Sequence, residues 1–304
     1  MELVSIIIPT YNRSKLLKNA INSIINQTHQ NFEIIIIDDC STDDTLKVIK
    51  NFEDKRIKYF KNEVSLRATG SRNRGIEKSK GDFIAFLDDD DEWYPRKIEI
   101  QLEKFTDPDI GLVYGAIDLY FEALDFKYPT TPSKKGKLFK ELLMKNHVGG
   151  TPSVMLRKVA LENNFFDVKF PAREEYDLWI QISKKWKIDY IKTPLVKAYY
   201  RNNIDRISTN LDNYVQGINQ LNKKYEKDIK NELSCKEIKL REAQQNFFLG
   251  AQAVKMYDTK TARKYFLKSF RINKSKNAIM AYILSYFGPV ALIKAKYLIS
   301  KVKG

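Results

Sequence analysis

Five acidic residues follow one another at Asp88-Asp89-Asp90-Asp91-Glu92, directly after the apolar run Phe83-Ile84-Ala85-Phe86-Leu87. Adjacent carboxylates repel, so one holds a proton or a cation lies among them. A hard divalent cation with oxygen ligands is the obvious partner; a solvated acidic loop is the plain alternative. Two other polar clusters succeed apolar runs in the same way: Pro9-Thr10-Tyr11-Asn12 after Leu3 to Ile8, and Asp38-Asp39 after Phe32 to Ile37. Farther on come Arg173-Glu174-Glu175-Tyr176-Asp177. These acids serve either as dipole partners at a helix start or as a base opposite the metal. A nucleotide between the first two clusters, with a divalent ion on the Asp88–Asp91 turn, would have its diphosphate held through oxygen and its departure assisted. A far-side carboxylate would take the proton of an incoming hydroxyl. Together these parts can perform in-line displacement on a sugar nucleotide, a relative of the two-carboxylate logic of glycoside hydrolysis.

The elements that must position these residues are legible in outline. Leu3 to Ile8 reads as a buried strand stopped by Pro9. Ser14 is placed to cap a helix with Leu16, Leu17, Ala20, Ile21, Ile24 and Ile25 inward. Phe32 to Ile37 is a second strand, Ile57 to Phe60 a weaker one, and Phe83 to Leu87 the central one. Helices fall between them: one starts after Ser41-Thr42-Asp43-Asp44, one spans Thr69 to Ser79, and one runs from Pro95 to Phe105. Strand–helix alternation with apolar strands predicts right-handed crossovers and a mainly parallel, Rossmann-like sheet flanked by helices. Ligands of such sheets bind beyond the carboxyl ends of the strands, where all three polar clusters lie. Later strands are predicted at Gly111 to Phe121, Val154 to Leu156, Ile188 to Ile191 and Leu195 to Tyr200. A loop rich in proline and lysine spans residues 129–136, and Arg173 to Trp179 opens an amphipathic helix with Leu178, Ile182 and Trp186 as its apolar positions. No G-x-G-x-x-G or G-x-x-x-x-G-K follows the first strand, which disfavours dinucleotide binding and P-loop chemistry.

Composition places the chain among globular proteins: 304 residues, 43% hydrophobic and 12% aromatic. Cys40 and Cys235 are far apart in sequence, so neither a zinc site nor a disulfide framework is expected, and a reducing cytoplasm fits. The first residues lack the pattern of a signal peptide. The net charge of +15 is uneven, because residues 251–304 hold 12 Lys/Arg against one acid, Asp258. From residue 211 the alternation gives way to helical patterns rich in Lys and Glu. Residues 1–210 thus read as one domain and 211–304 as a basic helical C-terminal region, with a helix–turn–helix over Gln244 to Phe270. The uncharged run Asn277 to Ile293 contains Gly288-Pro289 and is short for a membrane span. A buried helical hairpin and an interfacial element on an anionic membrane compete; the basic segment favours membrane contact, which the apolar run also fits better than nucleic acid.

With the residues laid out, the chain resembles glycosyltransferase family 2, the inverting, sugar-nucleotide-dependent enzymes of GT-A fold. The resemblance rests on Ser5-Ile6-Ile7-Ile8-Pro9-Thr10-Tyr11-Asn12, Ile37 to Thr45, Ser71-Arg72-Asn73-Arg74-Gly75-Ile76 and Phe86-Leu87-Asp88-Asp89-Asp90-Asp91. It covers about residues 1–210. It implies that Pro9, Thr10, Tyr11 and Asp39 line a uridine pocket, with Asp39 on the base, and that Arg72 helps hold the nucleotide. Asp88 and Asp90 fill the D-x-D positions. Asp90 then binds Mn²⁺ or Mg²⁺, while Asp88, with Asp89 beside it, serves the ribose or the metal's surroundings. Glu175 takes the place of the family's catalytic Asp, with Glu174 and Asp177 as fallbacks. Asn202 stands where the family often has His, so no His ligand is expected; His29 and His147 read as structural. Arg201 and Arg206 are placed to reach the diphosphate. The implied partners are a UDP-sugar donor and a saccharide or lipid-linked saccharide acceptor, in bacterial surface-polysaccharide synthesis at the cytoplasmic face of the membrane. Two alternatives stand beside this: a nucleotidyltransferase, which would be expected to carry a glycine-rich basic loop after the first strand, and a non-catalytic scaffold binding membrane or nucleic acid.

Overall fold

The computed structural model describes residues 2–201 and 210–294. The chain forms two compact units. The first comprises Met1–Leu138, His147–Val168 and Glu174–Asn202; the second comprises Phe139–Asn146, Lys169–Arg173 and Asn203–Gly304.

The first unit begins with β1 (Val4–Thr10), α1 (Ser14–Ile25), β2 (Phe32–Asp38), α2 (Thr45–Lys50), β3 (Ile57–Lys61), α3 (Arg67–Lys78) and β4 (Phe83–Phe86). These strands pair in parallel in the order β3-β2-β1-β4. Every residue of β1, β2 and β4 is buried, which is why their sequences run apolar without alternation. Helix α1 buries Leu17, Ala20, Ile21 and Ile24. The cap expected from Ser14 is not made. Ser14 is itself the first helical residue, and its N–H donates to Asp43 at 3.0 Å, so the turn after β2 does the capping.

The unit continues through β5 (Glu92–Trp93), α4 (Lys97–Leu102), β6 (Ile110–Phe121), β7 (Phe126–Pro129), β8 (Val154–Arg157), α6 (Glu174–Ser183) and β9 (Lys187–Tyr200), while α5 (Phe139–Met144) belongs to the second unit. Strand β8 lies antiparallel between β4 and β6, so β6 runs in the same direction as β4. Strand β9 is parallel to β6, and the short β5 closes the order antiparallel to β9. The carboxyl ends of β1, β2, β4, β6 and β9 therefore meet one edge. The two strands expected between Ile188 and Tyr200 are a single strand. Register shifts between Gly115 and Ala116 and between Ala116 and Ile117 bulge β9 on either side of Pro194, so the strand continues past the proline.

Helix α3 sits close against the sheet. A Cβ on Gly75 would lie 2.4 Å from Cγ2 of Ile7 in β1. Glycine at this position lets the helix that carries Arg72 approach the strand that carries Thr10.

The second unit contains α5 (Phe139–Met144), α7 (Leu211–Lys224), α8 (Glu226–Glu232), α9 (Cys235–Lys255), α10 (Thr259–Asn273) and α11 (Lys276–Leu284). A capping box of Ser234 and Glu237 starts α9. Helices α9 and α10 pack as a pair through Ala253, Ala262 and Phe266, all buried, with the Ser269 hydroxyl donating to the Ala243 carbonyl at 2.8 Å. Arg241 joins three helices: Nε donates to the Leu143 carbonyl at 2.7 Å and Nη1 to Asn222 Oδ1 at 2.6 Å. After α11 a single 3-10 turn, Ser285–Phe287, leads to Gly288 at φ +90. Lys296, Lys301 and Lys303 lie outside the described residues.

Gly75→Ala tests the close approach. Alanine is the better helix former by about 1 kcal/mol, yet the clash with Ile7 should make the variant less stable by about 1–3 kcal/mol in urea unfolding. An unchanged or raised stability would contradict the packing described.

Candidate active site

The clusters singled out in the sequence converge at the carboxyl edge of the first unit's sheet. The turn after β4 carries Asp88 to Asp91, closed by the Asp91 N–H donating to the Asp88 carbonyl at 3.1 Å. Asp89 is buried and accepts from the Thr10 hydroxyl at 2.8 Å and from Arg13 at 2.9 Å. Arg13 also lies 3.3 Å from Asp90. Burial pushes the Asp89 carboxyl up to about 6, with Arg13 opposing the rise and Asp90 adding to it. Burial likewise opposes the Arg13 charge, but Asp89, Asp90 and Asp88 together outweigh it and hold Arg13 above its ordinary value. Asp91 accepts from the Tyr199 N–H at 3.2 Å, and the Asp90 carbonyl accepts from Arg201 at 2.8 Å.

Arg72 connects this turn to α6. The guanidinium is buried; Nη2 donates to Asp88 at 2.7 Å and Nη1 to Glu174 at 3.2 Å. Its Nε is buried with no hydrogen-bond partner in the structure. Burial works against this charge, and Asp88 and Glu174, with Glu175 beyond them, more than compensate. Glu175 is half-buried beside Glu174. Asp177, the other acid considered, is fully buried and accepts from Gln181 at 2.7 Å, so it presents no surface to a substrate.

Asp39 is held differently from the others. Its Oδ1 accepts from Asn62 at 2.6 Å and the Leu66 N–H at 2.7 Å; its Oδ2 accepts from Ser65 at 2.6 Å and the Arg67 N–H at 2.9 Å. Burial would raise this carboxyl, but these donors hold it below the usual carboxylate range. Asp39 thus fixes the segment from Asn62 to the start of α3, where Arg67 takes φ +56. Tyr11, by contrast, is 56% exposed beside this cluster. Asn12, at φ +50, bridges the first two turns: its side-chain carbonyl accepts from the Thr42 N–H at 2.8 Å.

Pro9, Thr10, Asp39, Arg72, Asp88, Asp89, Asp90 and Glu174-Glu175 are therefore brought together, with Tyr11 at the rim. Arg206 lies outside the described residues. The contribution of Arg13 was not anticipated in the sequence; its only signal was its position directly after Pro9 to Asn12. Among the described residues no group of three or more His, Cys, Asp or Glu side chains is arranged to hold a metal by itself. Asp88 and Asp90 nevertheless suit Mg²⁺ or Mn²⁺ chemically. Both are hard oxygen donors, and the Asp88 side chain is 32% exposed, so one or two carboxylates with phosphate oxygens and water could complete the coordination.

Residues 5–165 match the profile of the family described as Glycosyl transferase family 2. The chain belongs to glycosyltransferase family 2. The UDP-Glc:alpha-D-GlcNAc-diphosphoundecaprenol beta-1,3-glucosyltransferase WfgD of Escherichia coli is 34% identical over 208 residues, covering 68% of this chain and 80% of that protein. Two solved structures share the GT-A architecture of this glycosyltransferase. S. aureus TarS 1-349 in complex with UDP-GlcNAc superposes with a TM-score of 0.58 at 15% identity, over 94% of this chain and 90% of that one. The mannosyltransferase PcManGT from Pyrobaculum calidifontis, in complex with GDP-Man and Mn2+, gives a TM-score of 0.58 at 15% identity, over 98% and 87%.

The folded chain of this glycosyltransferase holds the Asp89 proton more tightly than the unfolded chain does. The stability this group contributes is thus full below about pH 4 and lost as pH rises through about 6. The rise from 3.8 to about 6 corresponds to roughly 3 kcal/mol. Urea unfolding of Asp89→Asn against the wild type should show the variant gaining roughly that much relative stability between about pH 4 and about pH 7.5. A difference independent of pH would contradict it.

Proposed function

We propose that this glycosyltransferase moves a sugar from a UDP-sugar to the hydroxyl of a lipid-linked saccharide, with inversion at the anomeric carbon, in bacterial surface-polysaccharide synthesis. The observation that carries this reading is the bridge from Asp88 through Arg72 to Glu174, which sets a diphosphate-binding turn beside a helix start bearing Glu175. The donor and acceptor classes are those named for the Escherichia coli relative.

In this reading the exposed Tyr11 ring receives the uracil face, and Asp39 keeps the wall of the pocket fixed through the Asn62 to Arg67 segment. The wholly engaged carboxylate makes Asp39 an organiser first; a direct bond to the base would displace one of its present donors. Thr10 and Arg13 hold Asp89 in place, and Asp88 and Asp90 would hold Mn²⁺ or Mg²⁺. When bound, that ion supplies charge stabilisation to the departing diphosphate. The buried Nε of Arg72 lacks an acceptor that a phosphate oxygen would provide, and Arg201, which donates to the Asp90 carbonyl and pairs with Glu122, is a further guanidinium at this turn. Glu175 takes the proton from the acceptor hydroxyl as its oxygen bonds to the anomeric carbon, while the bond to the diphosphate breaks and its electron pair leaves with UDP. Glu174 is the weaker candidate because it already accepts from Arg72. The first β-turn carries no glycine-rich basic loop, so nothing favours nucleotidyl transfer.

In this reading the enzyme works on its lipid-linked acceptor at the cytoplasmic face of the membrane, and contact with that surface is supported by exposed residues of the second unit. At its end Met280, Ile283, Tyr286 and Phe287 are exposed, the last two by 62% and 73%. Lys264, Lys268 and Arg271 of α10, Lys274 just after it and Lys276 at the start of α11 are exposed as well. Aromatic rings beside lysines suit the interface of an anionic bilayer. Among the described residues no helix is long and apolar enough to cross it.

Glu175→Gln should lower turnover about 10²–10⁴-fold while leaving UDP affinity unchanged; turnover near wild type would remove Glu175 from the base role. Asp90→Ala should abolish the dependence of UDP affinity on Mn²⁺ in calorimetry; a persisting dependence would assign the metal elsewhere. For the membrane surface, the double variant Tyr286→Ser with Phe287→Ser should sediment with phosphatidylglycerol vesicles at least about tenfold more weakly than wild type. Equal sedimentation would rule that surface out.

A further inference from the structure

Beyond the donor turn, one face of the sheet carries a row of aromatic and charged side chains to which the donor chemistry gives no role. The register sets Tyr120 of β6 against Tyr199 of β9 and against Lys127 of β7, and Asp118 against Lys197. Residues two apart in a strand share a face, so Asp118 and Tyr120 stand with Lys127 and Tyr199. The Tyr120 and Tyr199 rings lie 5.2 Å apart between centroids, tilted by 32°. Lys127 donates to the Tyr120 hydroxyl at 3.0 Å, and the Tyr94 hydroxyl donates to the nearly buried Asp118 at 2.6 Å. The opposite face is different in kind: Phe121 and Tyr128 are buried there, with Phe121 stacked on Tyr200. The fold therefore seals one face with apolar rings and leaves the other polar and partly open.

This row is tied to the acidic turn. The Tyr199 N–H donates to Asp91, and Arg201 donates to the Asp90 carbonyl while lying 4.3 Å from the centre of the Tyr199 ring. It also stands at the same carboxyl edge as Asp88, because β6 and β9 run in the direction of β4. A pyranose matches such a surface. Its C–H face carries slight positive charge suited to the negative face of an aromatic ring. Its hydroxyls both donate and accept: Asp118 can accept from them, Lys127 can donate to them, and the tyrosine hydroxyls can do either. Aromatic lining with a few convergent polar groups is the usual make-up of a small-ligand site.

We infer that the Tyr120–Tyr199 face is the acceptor subsite and that it takes the sugar ring whose hydroxyl is glycosylated. The inference rests on the transferase reading and deepens it: Tyr120 and Tyr199 receive the ring face, Asp118 and Lys127 bind its hydroxyls, and Arg201 holds Tyr199 against the donor turn. Tyr94 keeps Asp118 oriented.

The test is saturation-transfer NMR with irradiation of the protein's aromatic protons. The ligands are methyl glycosides of glucose, galactose and N-acetylglucosamine, with UDP and Mn²⁺ present. UDP affinity is measured in parallel by calorimetry. Wild type should transfer saturation to at least one pyranoside. Tyr120→Ala and Lys127→Ala should each reduce that transfer about fivefold or more, Tyr120→Phe should retain it, and UDP affinity should stay within about twofold in all three. No transfer in the wild type, equal transfer in Tyr120→Ala, or a UDP affinity that falls together with the transfer would overturn the inference. Failure of the wild type to bind UDP would sink the transferase reading itself, a separate result read in the calorimeter.

Discussion

Four consecutive carboxylates at the end of a buried strand are unfavourable unless cations balance them, and this requirement organises the site. Arg13 lies against Asp89 and Asp90, Arg72 against Asp88, and Arg201 against the Asp90 carbonyl. Each arginine comes from a different part of the fold: the turn after β1, the helix before β4, and the residue after β9. Neutralising the turn therefore draws three elements to one edge. Arg72 matters most because it is buried and shared. Its fork spans Asp88 and Glu174, so the acidic turn and the start of α6 answer to one guanidinium. Taking that charge away would leave two carboxylates facing each other in a partly desolvated place, which is far more costly than losing a surface pair.

The same electrostatics explains how one turn gives its acids different tasks. Asp89 is buried between Thr10 and Arg13 and titrates high, so it behaves as part of the scaffold. Asp91 is engaged by the Tyr199 backbone. Asp88 keeps a partly open oxygen surface suited to a hard cation and a diphosphate. Sequence alone presents four equivalent aspartates; position relative to the core separates them.

Much of the sheet was legible because β1, β2 and β4 are buried on both faces and so read as unbroken apolar runs. Legibility fell where structure depends on distant partners. Ile188 to Ile191 and Leu195 to Tyr200 read as two strands, yet bulges within β9 on either side of Pro194 carry one strand through. Ser14 looked like a cap, but Asp43 from the next turn does that work. The acids at 88–91 and the pair at 174–175 were visible as charge, whereas the link between them through Arg72 requires the fold. Asp39, expected on the nucleotide base, also collects donors from the Asn62 to Arg67 segment, a loop whose shape no periodicity announces. In the second unit the helical texture from residue 211 was readable. The recruitment of Phe139–Asn146 and Lys169–Arg173 was not, since it rests on contacts such as Arg241 to the Leu143 carbonyl and the approach of Gly217 to the Ala172 carbonyl.

One buried guanidinium holds the acidic turn and the start of α6 in register. Arg72→Lys isolates it, because lysine keeps the charge but cannot fork to two carboxylates. Single-turnover transfer from a UDP-sugar, with folding checked by circular dichroism, should fall by about 10²-fold in this variant although the chain remains folded. Transfer within about threefold of wild type would show that the two halves of the site are aligned by something other than Arg72.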